Sequence, residues 1–138
     1  MKQKKSNLIC VAIFGSTGVT AGAFGAHALK QKVESGILSQ SQLSAWDTAS
    51  KYQLIHTIAL LFLILAAERI QSKWITASKI LFTTGILLFS GSLYLLILSA
   101  LAGWHLTFLG PLTPLGGLTL IAGWLCMGFF SLEKKQVH

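Results

Sequence analysis

Carboxylates are the scarcest charged groups in this chain: four Asp or Glu stand in 138 residues, against eleven Lys or Arg. Asp47 and Glu68 fall near the ends of apolar stretches, and neither a nucleophile motif nor a phosphate-binding loop accompanies them. No catalytic constellation is visible, so we expect a chain that is not an enzyme and holds no cofactor. Cysteine is equally sparse. Cys10 and Cys126 each lie in an apolar stretch and read as reduced, small packing residues. A lipoprotein reading of Cys10 fails, because Ile9 occupies the place where such cleavage needs a small residue and almost no apolar region comes before it.

Charge of either sign is rare, at 11% of residues, while 53% are apolar. A soluble domain of this size needs a polar surface larger than its core. Here the few charges form short clusters separated by long uncharged stretches, so most of the surface must face lipid. The net charge of +7 does not point to nucleic acid, because the basic residues are scattered along the chain and no basic face is interleaved with aromatics. Basic residues flanking apolar runs are topology signals and contacts for lipid headgroups.

What remains is apolar sequence in four blocks. Residues 8–29 are uncharged, and about 22 residues at roughly 1.5 Å each span a hydrocarbon core of about 30 Å. A cleaved leader is the competing reading, since Lys2, Lys4 and Lys5 precede the run and Ala21-Gly22-Ala23 resembles a cleavage site. The run continues past that site, however, and carries a patterned glycine face. Residues 30–51 are polar; Ser39 and Gln42 form a capping box that starts a helix outside the bilayer, with an amphipathic segment over 39–51 and Trp46 at headgroup level. The membrane part follows at 53–67 and ends at Glu68 and Arg69. The third crossing covers 80–102. In the turn GPLTPLGG, Thr113 is the expected N-cap and Pro114 the first helical residue of a fourth crossing over 114–132, closed by Glu133, Lys134 and Lys135.

The expected fold is therefore an all-α integral membrane protein, a single four-transmembrane-helix bundle over residues 1–138. The N-terminus, the 68–79 loop and the C-terminus together hold eight Lys or Arg, and the other two connections hold three. The positive-inside rule then puts both termini in the cytoplasm.

Gly15, Gly18, Gly22 and Gly25 recur by three, four and three residues and line one stripe of the first helix. Glycine lets helices in lipid approach closely, so the stripe is a packing seam, either within the bundle or between two chains. His27 and His56 are expected at similar depth near the outer side, with His105 in the outer turn. Imidazoles at one level can bind metal or relay protons, but no carboxylate or thiolate joins them and no HxxxH pair exists, so a structural role is favoured. Tyr94, Ser90, Ser92 and Trp124 carry polar atoms into the membrane, where each needs a partner.

GAFGAHAL at 22–29, YQLIH at 52–56, FSGSLY at 89–94, and GPLTPLGG followed by Gly123-Trp124 together resemble the family called domain of unknown function 423, of the UPF0382 type. That family is in turn similar to the transmembrane protein 256 group. The resemblance covers nearly the whole chain in the right order. It implies four membrane helices and a multi-pass place in the bacterial plasma membrane, and brings no agreed reaction, substrate or cofactor. The family's recurring polar positions fall on His27, Tyr52, Gln53, His56, Ser90, Ser92 and Tyr94, which we expect to form one connected cluster toward the outer half of the bundle. The functional expectation is a structural or regulatory role in membrane homeostasis, or support of a partner membrane protein. Lipids are the expected surroundings, and a second copy of the chain is an open alternative partner. The competing reading is a binder or transporter of lipid, small molecules or ions that uses the outer polar cluster.

Overall fold

Four helices, each long and apolar enough to cross a bilayer, make up the protein in a computed structural model that describes residues 2–104 and 106–132. No strand occurs among the described residues. His105 and the expected terminal marker Glu133, Lys134 and Lys135 lie outside them.

The first crossing is α1 (Lys2–Phe24), which runs without a break through a single π-turn, Gly25–Leu29, into the short α2 (Lys30–Glu34). Gly36 stops it. With φ at 74°, this residue lets Ile37 N–H reach Lys32 O at 2.9 Å and its own N–H reach Val33 O at 3.0 Å, the paired bonds that close a helix around a left-handed residue.

The second crossing, α3 (Gln40–Ala66), starts at the capping box: Ser39 N–H donates to Gln42 Oε1 at 2.8 Å, and Gln42 N–H to Ser39 Oγ at 3.2 Å. The polar 39–51 segment and the membrane part are one uninterrupted helix of 27 residues. At ~1.5 Å per residue it is roughly 40 Å long, so it stands well clear of the hydrocarbon at one end. The third crossing, α4 (Lys73–Leu101), also begins earlier than its apolar run, at Ser72, whose hydroxyl accepts from Trp74 N–H at 3.1 Å. The last, α5 (Leu112–Leu132), starts ahead of Thr113, which therefore lies in the first turn and is not the cap. Pro114 becomes the third helical residue, where the lost N–H still has no intrahelical acceptor.

The helices pack in chain order: α1 on α3, α3 on α4, α4 on α5, with no comparable interface between α1 and α5. The bundle is thus an open row. Its core has two parts. One gathers Ala59, Leu63, Ile75, Phe82, Ile86 and Leu120; the other, toward the ends of α2 and α4, gathers Leu29, Leu38, Trp46 and Ile97. The flanks of α1 and α5 expose apolar side chains such as Ile9, Val19, Leu118 and Leu125, a surface suited to lipid.

The closest approach in the row is between α4 and α5 at Gly116, where an added Cβ would stand 2.7 Å from the Phe89 Cα, against backbone that cannot move aside. Gly116→Ala should therefore push α5 off α4 and cost about 1–3 kcal/mol, the range for overpacking, whereas Gly91→Ala, facing open space, should leave stability unchanged or slightly raised. Reversible unfolding in mixed detergent micelles measures both.

Candidate functional site

The stripe Trp46, Ser50, Gln53 recurs at helical spacing on the face of α3 that meets α1. Trp46 Nε1–H donates to Ala21 O at 2.7 Å, Ser50 Oγ–H to Gly18 O at 3.0 Å, and Gln53 Nε2–H to Phe14 O at 2.7 Å and Thr17 Oγ1 at 2.8 Å. Each carbonyl of α1 already accepts one bond within its helix, so the ladder uses its second lone pair. The glycine stripe lies directly opposite. A Cβ at Gly18 would meet Leu54 Cδ2 at 2.8 Å, one at Gly22 would meet Ser50 Oγ at 3.1 Å, one at Gly25 would meet Trp46 Cδ1 at 2.7 Å, and Gly15 faces the Thr57 methyl at 3.9 Å. The stripe is a seam within the chain, and glycines and polar side chains are its two halves. Trp46 is 5% exposed and a member of this seam.

On the other side of α3, His56 is buried between α4 and α5. Its Nδ1 lies 2.7 Å from Tyr52 O, which can only accept, so Nδ1 carries the proton. Its Nε2 accepts from Trp124 Nε1–H at 3.0 Å. These partners define a neutral ring in one tautomer with both nitrogens occupied. The edge of the Phe82 ring packs beside it with centroids 5.4 Å apart. The pair ties α3 to α5, two helices that otherwise share no extensive interface.

The remaining polar positions serve other contacts. Ser90 Oγ–H donates to Ala49 O at 2.8 Å, tying α4 to α3. Ser92 Oγ is 2.7 Å from Thr113 Oγ1, tying α4 to α5. Tyr94 packs against Trp46 with centroids 4.6 Å apart and ring planes tilted by 56°; its buried hydroxyl lies near Ser50 and makes no hydrogen bond of ordinary geometry. Tyr52 is 43% exposed with its ring stacked on Phe89, and His27 is exposed on the π-turn.

The seven positions do not, therefore, form one connected cluster: Gln53, Ser90, Ser92 and His56 serve different helix–helix contacts, and His27 is exposed. Nor do His27 and His56 share a depth. The π-turn that carries His27 packs at the level of Trp46, and His56 lies ten residues farther along α3, or roughly 15 Å deeper, beside Phe82. Among the described residues no three His, Cys, Asp or Glu side chains converge as metal ligands. Sequence reading missed Ser50 and Ser78; the latter is fully buried and donates to Gly123 O at 2.8 Å between α4 and α5. The helical spacing of Trp46, Ser50 and Gln53 was the available signal for the ladder.

Apolar crossings joined by internal polar seams define a small multi-pass membrane protein. The chain belongs to the family described as protein of unknown function DUF423, whose model matches residues 21–117. It is 39% identical over 132 residues to the UPF0382 inner membrane protein YgdD of Escherichia coli (strain K12), covering 94% of this chain and 93% of that protein. It is 38% identical over 136 residues to a UPF0382 membrane protein of Haemophilus influenzae, covering 97% and 99%. Over 122 residues it is 38% identical to the UPF0382 membrane protein SAB0533 of Staphylococcus aureus, covering 87% and 89%. No solved structure matches.

If His56 and Trp124 satisfy each other, His56→Leu and Trp124→Phe should each destabilise the bundle by leaving one polar atom unmet. The double variant should cost less than the two losses combined, with a coupling of about 1 kcal/mol, the scale of hydrogen bonds between membrane helices. A double-mutant unfolding cycle in detergent reads this, and strict additivity would break the pairing.

Proposed function

We propose that this protein is a non-catalytic structural element of the bacterial plasma membrane that supports envelope integrity or a partner membrane protein, with both termini in the cytoplasm. One observation carries the reading: Trp46, Ser50, Gln53, Ser78, Ser90 and Ser92 spend their polar atoms on neighbouring helices, and His56 has both ring nitrogens engaged. The open row adds support, because the apolar flanks of α1 and α5 are free for lipid or for a neighbouring membrane protein. A binder that relies on the outer polar cluster has less support, since Ser90, Ser92 and His56 are committed to other helices.

The test is complementation of a strain lacking the gene, grown under detergent and osmotic challenge. A structural role predicts that the His56→Leu/Trp124→Phe double variant, if inserted at normal levels and folded, restores growth as the unaltered chain does. A folded double variant that fails would assign chemistry to the imidazole and overturn the reading. The orientation is tested separately: a fluorescent protein fused at the C-terminus should light, and alkaline phosphatase inserted after Gly36 should be active, because each reporter works on only one side of the membrane. The opposite pair of results would invert the topology inferred from Lys and Arg placement.

A further inference from the structure

A cleft opens between α1 and α4 on the N-terminal side of the membrane, floored by Leu60 and Ile64 of α3, with a volume of about 300 Å³. It continues into a wider opening of about 760 Å³ by sharing Asn7, Ile64, Thr76 and Lys79. Most polar groups at its inner walls behave unlike those elsewhere in the helices. Thr17, Thr20, Thr48, Thr57 and Thr119 all return their hydroxyls to a carbonyl four residues back, as Thr76 at the rim does to Ser72 O. The hydroxyls of Thr83 and Thr84 and the amide of Asn7 make no hydrogen bond among the described residues, and half-buried Lys79 has no carboxylate partner among them. Three groups that can donate and one cation thus face a single cleft. The inner part contains no carboxylate; Glu68 lines only the wider mouth, together with Lys73.

Their order along the membrane normal narrows the chemistry. Asn7 and Lys79 each stand immediately before an apolar run, at the headgroup boundary. Thr83 and Thr84 come about one helical turn deeper, and the floor beyond them is aliphatic. Ammonium and amide, then hydroxyls, then alkyl surface is the sequence that a phosphate, a glycerol ester and an acyl chain present in a lipid. We propose that this cleft binds one anionic glycerophospholipid from the leaflet on the N-terminal side, with its phosphate on Lys79 and Asn7 and its glycerol esters at Thr83 and Thr84. Basic pockets between membrane helices are suited to such headgroups. The site is distinct from the buried seams and does not depend on the structural role proposed above.

Native mass spectrometry of the full chain in detergent, with added phosphatidylglycerol or phosphatidylcholine, tests it. One phosphatidylglycerol per chain should be retained in preference to phosphatidylcholine, and retention should weaken with salt. Lys79→Gln should lower the affinity about fivefold, equivalent to about 1 kcal/mol for one lysine at a lipid surface. Lys79→Arg should keep the affinity, and Lys51→Gln, on the other side, should not change it. Thr83→Val gives a second, uncharged probe of the same cleft and should also weaken retention. Equal retention of both lipids by the unaltered chain, which needs no variant to fold, would overturn the proposal. So would a folded Lys79→Gln chain that binds normally, or full displacement of the lipid by inorganic phosphate, which would identify a site for the free anion.

Discussion

Hydrocarbon offers no hydrogen bonds, so a polar atom that enters it is costly unless another group meets it. That cost governs where each helix lies in this chain. The ladder from α3 to α1 satisfies an indole, a hydroxyl and an amide with carbonyl lone pairs that α1 leaves free. Such bonds require close helix backbones, and a face of glycines supplies the approach. Removing the donors would leave the glycine face with little to define its register; removing the glycines would hold the donors out of reach.

The same logic applies with different residues along the rest of the row. Between α4 and α5, Ser78 reaches Gly123 O while Gly116 lets backbones touch at Phe89. Between α3 and α4, Ser90 reaches Ala49 O. His56 and Trp124 cross from α3 to α5 beside Phe82 and give the row a polar tie that skips a neighbour. Lipid tails are as apolar as leucine, so burial of apolar surface discriminates weakly between partners here, and shape and hydrogen bonding decide which faces meet.

Much of this was legible in the residues. The apolar runs located all four crossings, the Ser39 and Gln42 pair marked the start of α3, and the spacing of the glycines marked a contact face. A mid-membrane indole at Trp124 announced its need for an acceptor. The identity of that acceptor was not legible, because it depends on how α3 is offset against α5. Depth was misjudged for a related reason: counting from the ends of the apolar runs puts His27 and His56 at one level, whereas the π-turn that carries His27 packs against Trp46, ten residues before His56 on α3. Lys73 and Lys79 likewise sit within α4, since a helix can begin in the headgroup zone before its apolar run does.

Packing in chain order also gives the protein a history. Each crossing finds its main partner in the one made just before it, so a chain delivered to the membrane from its N-terminus can settle helix by helix without holding a face open for a segment not yet made. The α1–α3 ladder is complete after two crossings. His56 is the exception: its Nε2 has no partner until Trp124 arrives with the final helix, so closure of that bond is a latch that distinguishes a finished molecule from one still under construction.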